Sequence, residues 1–146
     1  MSESAGELSN REETIVAWLR HAALGPEDRK DFWAWDAVGD FVYAAPPAAG
    51  LDVVLELLRR ASEEEIGLVI AGPLEELVWY HGAALVDAIE HRASADPDFR
   101  AALGGIWISE GDLPPDILAR IVDASGGGIQ PLPRREEDVD VSRPDT

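Results

Sequence analysis

The chain has 146 residues, of which 46% are hydrophobic, and its formal net charge at pH 7 is −17. A chain of this length can fold as one domain with a sizeable core, and the lack of cysteine excludes a disulfide framework and a thiolate metal site. No apolar run approaches the ~20 residues of a membrane span, and the acidic N-terminus lacks the features of a secretory signal, so we expect a cytoplasmic protein.

Most of the negative charge lies on the predicted folded body. Residues 134–146 carry three Arg and five Asp or Glu, and residues 1–10 carry only Glu3 and Glu7, which leaves a net charge of −13 on residues 11–124. Because such a body repels phosphate backbones, we expect no direct nucleic-acid binding. It would attract a basic protein partner, although the same charge can also serve solubility alone.

The first half of the chain shows helical periodicity that proline and glycine interrupt. A capping box that begins at Ser9 predicts the start of a first helix, and Gly25-Pro26 predicts its end. Residues 27–43 predict a second helix, which is aromatic on two sides and is therefore expected to pack on neighbours at both flanks. A proline pair then opens a third helix, predicted over residues 48–61.

The second half carries the densest signals. A capping box at Ser62 starts a fourth helix, Gly72-Pro73 predicts its end and the start of another, and Gly82 repeats the stop. Asp96-Pro97 fits an N-cap followed by a proline in the first helical turn. A last helix is predicted over residues 114–124.

These patterns predict an all-α fold of about seven or eight short antiparallel helices, arranged as a compact HEAT-like array or an irregular bundle. We expect residues 1–8 to be a flexible N-terminus and residues 9–124 to form one helical domain. Residues 125–146, rich in Gly, Pro and acidic residues, are expected to be a flexible, disordered tail.

Several separated motifs point to a family: FWAW at residues 32–35, AGPLEEL at 71–77, HG at 81–82, IE at 89–90, and PDFRAAL at 97–103 followed by Trp107. Together they resemble the hallmark of a bacterial domain-of-unknown-function family of small acidic proteins. The resemblance covers about residues 30–124 and implies a helical, HEAT-like or bundle fold and a bacterial origin. That family has no assigned activity, so the resemblance implies no catalytic residue.

The best candidates for catalysis or metal binding lie on the predicted helix after Gly82. Asp87, Glu90 and His91 share one face, because residues three and four positions apart on a helix are neighbours. A di-iron carboxylate bundle needs a second Glu-x-x-His element and further glutamates on facing helices. We therefore predict no cofactor and no metal site. If a metal does bind, these three residues are its expected ligands.

The sequence also predicts a surface for a protein partner. We expect four of the five tryptophans to be mainly buried and Trp79 to be exposed, because it lies off the apolar stripe of its helix. Beside two glutamates, Trp79 and Tyr80 would form an aromatic patch with an acidic rim, the composition of a hot spot for a basic partner. The predicted partner-binding residues are Glu75, Glu76, Trp79, Tyr80, Asp87 and Glu90.

No motif in the sequence indicates an enzyme, because it contains neither a phosphate-binding loop nor a nucleophile elbow. We interpret the chain as a non-enzymatic acidic module that docks on a basic protein, of the immunity or inhibitor type. Two alternatives stay open. One is a metal- or carboxylate-dependent enzyme centred on Asp87, Glu90 and His91, and the other is a DNA mimic whose carboxylates imitate phosphates.

Overall fold

A computed structural model describes the backbone of residues 2–24 and 32–133, and the side chains of residues 11–22 and 33–133. Within these ranges the regular structure is helical and contains no β-strand, so the all-α prediction is confirmed. The helices are α1 (Ser2–Leu24), α2 (Phe32–Tyr43), α3 (Pro47–Arg60), α4 (Glu63–Val69), α5 (Glu75–Ala95), α6 (Pro97–Leu103) and α7 (Pro115–Ala124), and a π-helical turn (Ile70–Leu74) joins α4 to α5.

Helix α5 lies at the centre of the fold and contacts α2, α3, α6 and α7. Its buried face includes Leu77 and Ile89, which pack in one hydrophobic core with Trp18 of α1, Leu57 of α3 and Ile121 of α7. Helix α2 packs on α1 and α3 as well as on α5. None of the described helices is both long and apolar enough to cross a membrane.

The run from α4 to α5 does not break at Gly72-Pro73, so the predicted helix end at this dipeptide is wrong. In an α-helix the ring of Pro73 would clash with the carbonyl four residues earlier, and the wider π-helical turn relieves that clash. Gly72 can stay helical before a proline because it has no Cβ to meet the proline ring. The proline therefore widens the helix here instead of ending it.

Gly82 does not end a helix either, because it is buried in the middle of α5. A Cβ added at Gly82 would lie 3.2 Å from Cδ1 of Ile121 in α7 and 3.2 Å from Cδ1 of Leu113 in the preceding loop. The role of Gly82 is thus to let α7 and its leading loop approach α5 closely. A long-range contact of this kind leaves no local sequence signal.

Other predicted boundaries have mixed outcomes. The capping box at Ser62 is present, with Glu65 N–H donating to the Ser62 hydroxyl and the Ser62 N–H donating to the Glu65 carboxylate. Asp96 caps α6 as predicted, by accepting from the N–H groups of Asp98 and Phe99. In contrast α1 begins at Ser2, so the start predicted at Ser9 is wrong; alanine, glutamate and leucine before it favour helix.

Part of the predicted tail packs on the helices. Ile129 is buried, and Leu132 forms an isolated bridge with Ser109. The Leu132 N–H donates to the Ile108 carbonyl at 2.9 Å, and the Glu110 N–H donates to the Leu132 carbonyl at 2.8 Å. Residues 129–132, which follow α7, therefore pack on the folded domain. Residues 134–146 of the predicted tail, like the predicted helix start at residue 27, lie outside the described residues.

Candidate functional site

An open groove lies where the start of α5 faces the loop that follows α6. Its volume is about 800 Å³. We call it the acidic groove, and its walls are Ala71, Glu75, Glu76, Trp79, Trp107, Ser109, Glu110, Asp112 and Leu132. Four of these residues are carboxylates, and no described Lys, Arg or His lines the groove. The groove thus brings together three of the predicted partner-binding residues, namely Glu75, Glu76 and Trp79.

Hydrogen bonds hold three of the four carboxylates of the acidic groove in place. Glu75 Oε1 accepts from the backbone N–H of Trp107 at 2.6 Å, which ties the loop to α5. Asp112 Oδ2 accepts from the Ser109 N–H at 2.8 Å within the loop itself. An ionised carboxylate has about four acceptor positions, so each group can still accept hydrogen bonds from a ligand.

Glu76 is joined to α2 through Tyr43, whose hydroxyl donates to the Glu76 carboxylate. Desolvation of the Tyr43 hydroxyl and this hydrogen bond raise the pKa of the phenol, because both favour the neutral phenol over a phenolate beside the Glu76 carboxylate. The ring of Tyr80 stands edge-on to that of Tyr43, with centroids 4.4 Å apart, and Trp79 contacts Tyr80 in the same way at 5.4 Å. The predicted aromatic patch is therefore one connected cluster beside the groove.

The tryptophans are more exposed than predicted. Trp79 is 52% exposed, as expected, but Trp33, Trp35 and Trp107 are exposed too, and of the five only Trp18 is buried. Trp107 is 72% exposed because the chain from 106 to 108 is not helical, and alternate side chains of an extended segment point to opposite sides. Ile106 and Ile108 enter the core, and Trp107 between them faces the acidic groove.

Asp87 and Glu90, the other predicted binding residues, lie outside the acidic groove and bind an arginine. Arg120 of α7 donates through Nη2 to Asp87 Oδ1 at 2.6 Å and to Glu90 Oε1 at 2.5 Å, and through Nε to Glu90 Oε2 at 3.0 Å. The hydrogen bond to Arg120 lowers the pKa of Glu90. Asp87 and Glu90 of α5 thus form ion pairs with Arg120 of α7. The sequence did not reveal these ion pairs because Arg120 lies 30 residues after Glu90 in the chain.

The third member of the metal hypothesis, His91, is exposed on α5. In the part of the chain that the structure describes, no group of three or more His, Cys, Asp or Glu side chains is arranged to hold a metal ion. The guanidinium of Arg120 already neutralises the negative charge that Asp87 and Glu90 would offer to a metal cation. This donor set therefore fits an ion pair better than a metal centre.

These features define an all-α protein with an acidic, tryptophan-lined groove and no described metal-binding cluster. The chain belongs to a family of unknown function (DUF6869), whose model matches residues 22–128, so the resemblance to an uncharacterised domain family is confirmed. No curated protein and no solved structure matches the chain. The geometry of the site is therefore the basis for any functional conclusion.

Proposed function

We propose that this protein is a non-enzymatic docking module whose acidic groove binds a basic segment of another protein. The observation that carries the proposal is the composition of the groove, in which four carboxylates surround the exposed rings of Trp79 and Trp107 without a described cation. Carboxylates steer and orient a cationic partner, and indole rings attract ammonium and guanidinium groups through their negative faces. The carboxylates of the same groove would repel the phosphates of a nucleic acid.

The biological setting of this docking is a further part of the proposal. The net charge of −17 would speed association with a basic protein, which suits a cytoplasmic immunity or inhibitor protein that must reach its target quickly. The enzymatic alternative is weaker because Asp87 and Glu90, its central residues, are occupied by Arg120. The DNA-mimic alternative has less support than binding of a basic segment, because the groove combines its carboxylates with large aromatic rings, which do not imitate phosphates.

The test uses peptides of defined charge. A fluorescent Lys–Gly repeat peptide should bind the full chain, and a Glu–Gly repeat peptide of equal length should not. Because each exposed cation–π contact contributes about 0.5–1 kcal/mol, the double variant Trp79→Ala/Trp107→Ala should bind the basic peptide about tenfold more weakly. Fluorescence anisotropy measures both, and raising the salt concentration should weaken wild-type binding steeply.

Trp33→Ala is the matched control, because Trp33 is 48% exposed on α2 and lies outside the groove. It should bind the peptide like the wild type. The proposal is refuted if the acidic peptide binds as well as the basic one, or if Trp33→Ala weakens binding as much as the groove variant does.

A further inference from the structure

A second cavity opens beside the acidic groove, between α2 and the π-helical turn, and the two share Glu76. Its volume is about 370 Å³, which is enough for a small ligand or one inserted side chain. We call it the tryptophan pocket and define it by Trp18, Trp35, Asp36, Asp40, Tyr43 and Glu76. Its position extends the acidic groove towards α1 and α2.

The aromatic wall of the tryptophan pocket is fixed in place. Trp18 is fully buried, and Trp35 stacks on it with ring centroids 5.4 Å apart and an interplanar angle of 17°. The ring of His21 stands edge-on to Trp35 at 5.7 Å. Although Trp35 is 41% exposed, contacts with two other rings thus hold its indole. An exposed aromatic surface that is already ordered costs little entropy when a flat group stacks on it.

The polar wall of the pocket carries negative charge, and none of the described residues that line it is a cation. Asp36 and Asp40 lie one turn apart on α2, so their like charges repel each other on one face of the helix. Between described residues neither carboxylate forms a hydrogen bond or an ion pair. Glu76 adds a third carboxylate, and no described Lys, Arg or His lines the cavity. A cation bound here would relieve the repulsion and supply hydrogen-bond donors.

We propose that the tryptophan pocket receives one arginine side chain of the basic protein that docks on the acidic groove. This inference rests on the proposed function, since the shared Glu76 places the pocket at the end of that groove. A guanidinium is planar and stacks on indole, and its five N–H donors can reach several carboxylates at once. A lysine ammonium does not stack as a plane, and a quaternary ammonium has no N–H to donate to the carboxylates.

The test compares an Arg–Gly repeat peptide with the Lys–Gly peptide of equal length on the full chain. Wild-type protein should bind the arginine peptide about tenfold more tightly, because only the guanidinium both stacks and forks its hydrogen bonds. Gly39→Leu should remove this preference by filling the pocket. An added Cβ at Gly39 lies 3.7 Å from the Tyr43 ring, which is an ordinary contact, so the backbone at this position accepts a side chain.

The isosteric variant Asp36→Asn/Asp40→Asn tests the same pocket without changing its volume. It should bind the two peptides about equally, whereas Asp52→Asn/Asp123→Asn, two exposed carboxylates outside the pocket, should keep the preference for arginine at the same net charge. Far-UV circular dichroism of each variant verifies its fold.

The outcomes separate the pocket from the proposed function. Equal binding of both basic peptides by the wild type overturns the pocket inference and leaves docking at the acidic groove intact. Binding of neither peptide overturns both. If free arginine amide competes as strongly as the arginine peptide binds, the occupant is a small guanidine and not the side chain of a docked protein.

Discussion

Gly50 of α3 is the position where one added methyl group should disturb the fold most clearly. A Cβ placed there would lie 2.7 Å from the backbone oxygen of Phe41 in α2 and 3.1 Å from Cδ1 of Leu77 in α5. A carbon and a carbonyl oxygen normally approach to about 3.4 Å, so Gly50→Ala must separate α2 from α3 by roughly 0.7 Å. The oxygen belongs to the helix backbone and cannot rotate away, in contrast to the end of a leucine side chain.

The expected loss of stability follows from two opposing contributions. Overpacking of a core costs about 1–3 kcal/mol, and replacing glycine by alanine in a helix contributes at most about 1 kcal/mol in the opposite direction. We expect Gly50→Ala to lower the free energy of unfolding by about 1–2 kcal/mol and the Tm by about 3–6 °C. Urea unfolding followed by far-UV circular dichroism measures the first quantity, and a thermal scan measures the second.

Gly67 provides the matched control. It is exposed in α4, and a Cβ added there meets no atom within 4 Å. Gly67→Ala should therefore show the helix effect alone and raise the free energy of unfolding by about 0.5–1 kcal/mol. If Gly50→Ala proves as stable as Gly67→Ala, α2 and α3 do not approach each other as closely at Gly50 as the 2.7 Å contact requires.

Three further expectations concern other parts of the fold. Ser62→Ala removes the capping box of α4 and should cost about 1 kcal/mol in urea unfolding, and an unchanged midpoint would contradict that role. Leu57→Ala leaves a cavity in the core and should cost about 2–5 kcal/mol, whereas Leu68→Ala, at a side chain that is 44% exposed, should change stability by less than about 0.5 kcal/mol. Arg120 lowers the pKa of Glu90, so their pair stabilises the fold above the unfolded carboxyl pKa of about 4.3 and this stabilisation is lost as the pH falls through the lowered value. Arg120→Gln should therefore lose less stability than the wild type between neutral and acidic pH, and parallel urea midpoints for the two proteins would argue against the pair.

The sequence predicts this fold well wherever the signal is local. The capping box at Ser62 and the N-cap at Asp96 depend on residues within three positions, and both are present. Gly72-Pro73 and Gly82 were misread, because the usual meaning of glycine and proline is a helix end. In this chain Gly72-Pro73 lies within a π-helical turn, and Gly82 allows α7 to pack closely on α5. The residues next to them in the sequence indicate neither feature.

The residues of the candidate site were likewise predicted only where the sequence signal is local. Glu75, Glu76 and Trp79 were predicted as a patch because they lie on consecutive turns of one helix, and the structure places them together in the acidic groove. Trp107 was missed as part of the surface because the alternation of an extended segment is too short to recognise over three residues. The pairing of Glu90 with a partner thirty positions away was likewise beyond any periodic pattern.

The π-helical turn sets the direction in which the acidic-groove residues of α5 face. Each residue of a helix advances the direction of its side chains by about 100°, so one extra residue in a turn rotates everything that follows it by that angle. Deleting Pro73, the residue that clashes in a regular helix, would allow a regular helix here and turn Trp79 by about a quarter of a circle, away from Trp107. The orientation of Glu75, Glu76 and Trp79 in the acidic groove is thus set by one additional residue in the turn that precedes them.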